Sequence, residues 1–165
     1  MKRLAAAACI VAAACGHTEE KSDWEREHEK SLPPSENEVS LPAYPRDRDL
    51  IEFSAGPTRD FRYFIDGTSI TVGSDGIVRY TLVARSAEGV ENVSYEGMRC
   101  STGELRVYAL GGERVWRATP GAWRPMQPGS MQPWHRVLYR EYFCRYREPV
   151  ASPEQAIYAL RGARR

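Results

Sequence analysis

From Phe61 onward the chain runs in short apolar-alternating stretches separated by three to five residues. A parallel crossover needs about a dozen residues or more, so gaps of this size admit only antiparallel neighbours. Phe61 to Ile65 reads as a strand closed by the turn pair Asp66-Gly67, and Ser69 to Val72 as a second short strand. Ser74-Asp75-Gly76 turns the chain into its clearest strand, residues 77–85. There Val78, Tyr80, Leu82 and Ala84 share one face, with Arg79, Thr81 and Arg85 on the other. Ala87-Glu88-Gly89 turns again, and residues 90–99 return with Val93 and Tyr95 on one face. A strand over 105–110, a turn at Gly111-Gly112 and a short strand over 114–117 complete the series. The pattern predicts an antiparallel β-meander.

After Pro133 the period changes. Trp134, Leu138 and Tyr142, with Val137, follow helical spacing. A last helix is signed at both ends: Ser152 is the N-cap, Pro153 suits the first turn, and Gln155 completes a capping box. Ala156, Ile157 and Leu160 form its apolar stripe and Gly162 its stop. The fold class is therefore α+β, an antiparallel β-meander sheet with one or two C-terminal helices.

Ahead of this domain lie two segments of different texture. Lys2 and Arg3 precede a small-apolar run over residues 4–14, which has the charged start, apolar stretch and small-residue cleavage site of a secretory leader. Eleven residues are too few to span a bilayer, which takes about 20. Val11-Ala12-Ala13-Ala14-Cys15 resembles the lipobox of bacterial lipoproteins, which implies cleavage before Cys15 and a lipid on its thiol. Several acyl chains together give stable anchoring, at about 0.8 kcal/mol per buried CH₂. Gly16 follows the cysteine with no Asp there, and the sorting rule of enteric bacteria then implies the outer membrane, facing the periplasm. Residues 15–49 are polar, with prolines at 33, 34, 42 and 45, and read as a largely disordered tether. The organisation expected is 1–14 leader, 15–49 lipidated tether, 50–165 domain.

Loss of Lys2 and Arg3 with the leader takes the formal charge from +1 to −1. Neither value carries the basic excess of a nucleic-acid binder, and no nucleic-acid partner is expected. Cys9 leaves with the leader and Cys15 is acylated, so Cys100 and Cys144 remain in an oxidising compartment. A disulfide between them is the expected outcome; a redox pair and a thiol nucleophile are the alternatives.

Residues 41–160 resemble the cryptic neisserial protein-like (CNP-like) family. The resemblance is carried by Leu41-Pro42-Ala43-Tyr44-Pro45, Leu50-Ile51-Glu52-Phe53, Tyr63-Phe64-Ile65-Asp66, the stretch 78–96 with Arg99-Cys100, and Arg140-Glu141-Tyr142-Phe143-Cys144. A looser similarity, to surface-adhesin protein E-like domains, rests on the hairpin over 63–70 and on Trp123-Arg124-Pro125 between the two cysteines. It implies a sheet-based binding domain. Neither family supplies catalytic residues.

The histidines make no triad. His17 sits beside the anchor, His28 lies in a charged stretch over 23–30 that reads as a solvated short helix, and His135 beside Trp134 reads as a structural histidine rather than a general base. Asp60, Asp66 and Asp75 stand at turns, where Asp bonds the local backbone, so neither a metal nor another cofactor is expected. From residue 113 to the end, ten Arg stand against four acids, with Trp and Tyr interleaved. Planar guanidinium groups among aromatics are the composition of a surface for anionic glycans, lipid head groups or an acidic protein partner. The candidate surface is Arg117, Trp123, Arg124, Trp134, Arg136 and Arg140. The expectation is an envelope lipoprotein, held to the membrane through Cys15, whose non-catalytic domain binds another envelope component. A small periplasmic enzyme, hydrolytic or thiol-based, and a surface adhesin are the alternatives.

Overall fold

The computed structural model describes residues 22–23, 35–56, 60–126 and 132–162. The chain divides into two compact units, Met1–Leu32 and Pro33–Arg165. The expected leader, the expected lipid site at Cys15 and, apart from Asp23, the charged stretch over 23–30 lie outside the described residues.

The second unit is built on the antiparallel meander that the turn spacing dictates. Its strands are β1 (Leu50–Phe53), β2 (Phe61–Val72), β3 (Ile77–Ser86), β4 (Glu91–Arg99), β5 (Glu104–Gly112) and β6 (Val115–Ala118), paired in that order. A two-residue strand, β7 (Arg124–Pro125), joins β5 beside Glu104 and Leu105. Helix α1 (Pro133–Val137) runs directly into a π-helical turn (Leu138–Phe143). A small hairpin of β8 (Cys144–Arg145) and β9 (Glu148–Pro149) follows, then helix α2 (Pro153–Leu160). Among the described residues no helix is long and apolar enough to cross a membrane.

Both faces of the sheet are covered, by different means. On one face Tyr63, Ile65, Val78, Tyr80, Leu82, Met98 and Leu105 pack with Leu138 and Phe143 of the π-helical turn and Ala156 and Leu160 of α2. Burying each large side chain contributes about 1.5–3 kcal/mol, so this face holds most of the fold's hydrophobic stabilisation. The disulfide Cys100–Cys144, with Cα atoms 5.2 Å apart, ties the end of β4 to the end of the π-helical turn. On the other face Phe64, Val83 and Val93 pack with Tyr44 and Trp116, and Tyr95, Tyr108 and Ala109 pack with Val39. An N-terminal arm, residues 35–46, without regular secondary structure, lies over that face.

Several local readings need correction. Asp66-Gly67 does not close a hairpin; β2 continues through it with a shift of register between Asp66 and Thr71. The Asp66 carboxylate accepts from the Thr68 N–H and hydroxyl, so its turn chemistry is spent on a bulge. Gly111-Gly112 belongs to β5, and the turn falls on Glu113-Arg114, whose φ values are 52° and 61°. Glycine serves at 111 for another reason: a Cβ there would sit 2.8 Å from that of Val93. The stripe Trp134–Leu138–Tyr142 does pack on the core, but it leaves out Phe143. The wholly buried pair is Leu138 and Phe143, five apart, and a π-helical turn, with bonds from i to i+5, puts both inside. In α2, by contrast, the Ser152 hydroxyl accepts from the Gln155 N–H and the Gln155 side chain accepts from the Ala151 N–H.

The arm departs most from expectation. Composition predicts a tether over residues 15–49, yet from Glu36 onward the chain holds to the sheet. The Asn37 N–H donates to Asp75 (2.8 Å) and the Trp116 indole donates to the Pro42 carbonyl (2.9 Å). Averaged composition argues against order in such a stretch. A few placed bonds, and the insertion of Val39 and Tyr44 into the sheet's satellite clusters, supply what the average hides.

Candidate functional site

A cleft of about 240 Å³ opens on the helix-covered face, between α1 and strands β2 to β4. Pro133 begins α1, and the next two residues project over the sheet. The Trp134 ring stacks on Tyr63, with centroids 4.6 Å apart and planes inclined by 28°. Phe61, Tyr63 and Trp134 form an aromatic wall, and Asn92, Ser94, Glu96 and His135 a polar floor and rim.

The floor is an ordered polar cluster inside an otherwise apolar core. Register places Tyr80 of β3 opposite Glu96 of β4, and Ser94 two residues before it on the same face. The Glu96 carboxylate, 3% exposed, accepts from the Tyr80 hydroxyl (3.0 Å) and the Ser94 hydroxyl (2.6 Å). His135 Nε2 lies 2.9 Å from the same carboxylate, and its N–H, present in the imidazolium and in one neutral tautomer, donates to it. Burial pushes the Glu96 carboxyl upward, but the charge and hydrogen bond of His135 and the bonds from Ser94 and Tyr80 outweigh it and hold it below the ordinary range. Burial and the neighbouring carboxylate push the Tyr80 phenol well up, so it stays a donor. His135 Nδ1 and Trp134 Nε1 are buried with no protein partner.

Chemically, this is a carboxylate with three donors beside an imidazole with one nitrogen uncommitted. The Ser94 hydroxyl donates to Glu96 rather than to His135, so the imidazole has no hydroxyl to activate. A larger hollow of about 300 Å³ lies on the arm-covered face, by Tyr44, Asp47, Glu91 and Arg114. It holds no comparable cluster: Arg85 already bridges Asp47 and Glu91. No group of three or more metal-ligating side chains occurs among the described residues.

The six residues of the candidate surface are not gathered together. Arg117 on β6 and Arg124 on β7 are exposed, and so are Arg136 on α1 and Arg140 in the π-helical turn. Trp134 stands in the cleft, whereas Trp123 lies on the opposite, arm-covered face, edge-on to Tyr108 and 4.1 Å beneath the Arg99 guanidinium. The sequence reading passed over Glu96, and the signal that finds it is register: a Glu between Ser94 and Met98 on the inward face of a central strand needs partners. His135 was placed as a structural histidine, and the structure puts it at 8% exposure on the Glu96 carboxylate.

A two-faced meander, with a helical cap on one side and an extended arm on the other, defines a small α+β domain with a cleft beneath its cap. The chain belongs to the CNP1-like family, whose model matches residues 20–161. That match starts well before residue 50, in keeping with an arm that is part of the folded unit. No curated protein and no solved structure matches the chain.

Proposed function

We propose that this chain is a lipid-anchored envelope protein whose sheet domain binds another envelope component, and that the ligand enters the cleft beneath Trp134. The observation carrying this reading is the pairing of an aromatic wall with a polar floor in one concave site, the composition of small-ligand pockets. Pockets for whole small molecules run to about 300–1,000 Å³, so a cleft just under that range takes one ring or one end of a larger ligand. Of the partner classes that the composition admits, protein, glycan and anionic lipid, the cleft favours a glycan. Trp134 and Phe61 offer flat faces to the C–H side of a sugar ring, and the Asn92 amide and Ser94 hydroxyl stand at the rim for its hydroxyl groups. The Glu96–His135 pair gives the enzymatic alternative its foothold, and the commitment of Ser94 to Glu96 weighs against it.

The test is a titration of the soluble domain with neutral and acidic mono- and disaccharides, followed through the indole N–H resonances. Binding that shifts the Trp134 signal is expected, and Asn92→Ala, at an exposed rim position, should weaken it about tenfold, the 1.4 kcal/mol that a lost hydrogen bond represents. A panel in which no saccharide moves that resonance would overturn the glycan reading. The anchor is tested in growing cells with a palmitate analogue. Label is expected on the unaltered chain and none on Cys15→Ser; label persisting on that variant removes the lipoprotein assignment.

A further inference from the structure

On the arm-covered face a second polar site is already filled, by the chain itself. The Glu36 carboxylate, with its side chain 18% exposed, accepts from Arg106 Nη1 (2.7 Å), Trp123 Nε1 (3.1 Å) and the Tyr108 hydroxyl. Arg79 Nη2 stands 3.8 Å away, its side chain 6% exposed. The socket walls are stacked: the Arg79 and Arg106 guanidinium groups lie 5.8 and 5.2 Å from the Tyr108 ring centroid. Gly97 makes the arrangement possible, since a Cβ there would stand 2.4 Å from the Tyr108 hydroxyl oxygen. None of these donors comes from the arm.

Once Glu36 withdraws, Arg79 keeps Asp75 (2.6 Å) and Arg99 keeps Glu104 (3.0 Å), but Arg106 has no other carboxylate among the described ion pairs. One uncompensated guanidinium, a phenol and an indole N–H would then converge on an empty, partly desolvated place. The arm covering it carries no strand or helix over residues 35–46; besides Glu36 it is held by the Asn37 N–H bond to Asp75, the Trp116 bond to the Pro42 carbonyl and the packing of Val39, contacts that an extended peptide of like sequence can replace one for one. We propose that the Arg79–Arg106–Tyr108–Trp123 socket is a carboxylate-recognition site for an acidic extended peptide of a partner, and that residues 35–43 occupy it in cis as an exchangeable latch. The site lies on the opposite face of the sheet from the cleft beneath Trp134 and is independent of that reading. The cis occupant specifies the ligand: a glutamate on an extended chain, followed three residues later by a small apolar side chain where Val39 sits against Tyr95 and Tyr108.

The test uses the full chain. Glu36→Arg sets like charges against Arg79 and Arg106 and expels the arm. A fluorescein-labelled peptide copying residues 35–43 should bind this variant, and bind the unaltered chain at least tenfold more weakly, because the latch competes at high effective concentration. The same peptide with glutamine at the position of Glu36 should bind the variant at least tenfold more weakly than the glutamate form. Equal binding of the two peptides, or no binding to a variant whose circular dichroism matches the unaltered chain, overturns the proposal. Displacement of the peptide by inorganic phosphate more readily than by acetate also overturns it, in favour of a phosphate ligand. If Glu36→Arg does not fold, Glu36→Ala replaces it: acetate should raise its melting temperature where chloride at equal ionic strength does not, and no difference between the salts sinks the idea.

Discussion

Replacing Cys100 and Cys144 together by alanine should lower the unfolding free energy by about 4 kcal/mol, from the loss of a cross-link between residues 44 apart in sequence. A domain of this size is stable by only about 5–15 kcal/mol, so the loss takes a large part of the total. The bond closes the whole stretch from the end of β4, through β5 and β6, to the π-helical turn. It therefore restricts in the unfolded chain the very segment that must return to cap the sheet. Both cysteines are buried in the principal core. Alanine is the better replacement, because serine would leave a hydroxyl there without a partner. Guanidinium denaturation of the double variant, set against the unaltered chain with and without reductant, measures the effect. Coincident curves for the variant and the oxidised unaltered chain would show that the bond adds nothing to stability.

Removing either member of the Glu96–His135 pair should be nearly as costly. Glu96→Ala and His135→Ala are each expected to destabilise by about 3–5 kcal/mol, since each leaves a buried polar partner uncompensated. The double variant should lose about 1–3 kcal/mol less than the two single losses together, the sign of direct coupling in a double-mutant cycle. The same pair sets a pH dependence. The Glu96 carboxyl is held below its ordinary value of 4.5, so the unfolded chain binds that proton more readily than the folded one. Stability then rises with pH wherever the unfolded state carries more protons. The contribution is fully present above the ordinary carboxylate value and is lost as pH falls through the lowered folded value. Asp75, raised by burial but lowered further by Arg79 and by the Asn37 and Ile77 N–H groups, acts in the same direction. Urea midpoints taken from pH 7 down to pH 3 should fall steeply for the unaltered chain and less so for Glu96→Gln. Parallel profiles would show that Glu96 does not govern the acid limb.

The helical cap shows how far one-dimensional pattern reaches. Periodicity found a helix after Pro133 and aligned Trp134 with Leu138, but the side chains that close the core are Leu138 and Phe143. Nothing local marks a widened turn, which ends at Phe143, immediately before the disulfide-bonded Cys144. Register errors at Asp66-Gly67 and Gly111-Gly112 share a cause. Both pairs carry turn chemistry, and only contact with neighbouring strands decides between a turn, a bulge and a close approach.

Alternation and turn spacing by themselves determined the antiparallel meander, the apolar face of β3 and the capped last helix, because each rests on interactions within a few residues of chain. The evenness of the remaining cysteines pointed to the bond between Cys100 and Cys144. Only the tertiary structure decided that Glu96 would meet Tyr80 and His135, and that Glu36 would meet Arg106, Tyr108 and Trp123. It also divided Trp123 and Trp134 between opposite faces of the sheet. These partners lie between 16 and 87 residues apart. Hydrogen bonds and ion pairs of that separation leave no period in the sequence, because what selects them is the register of the strands and the path of the chain between.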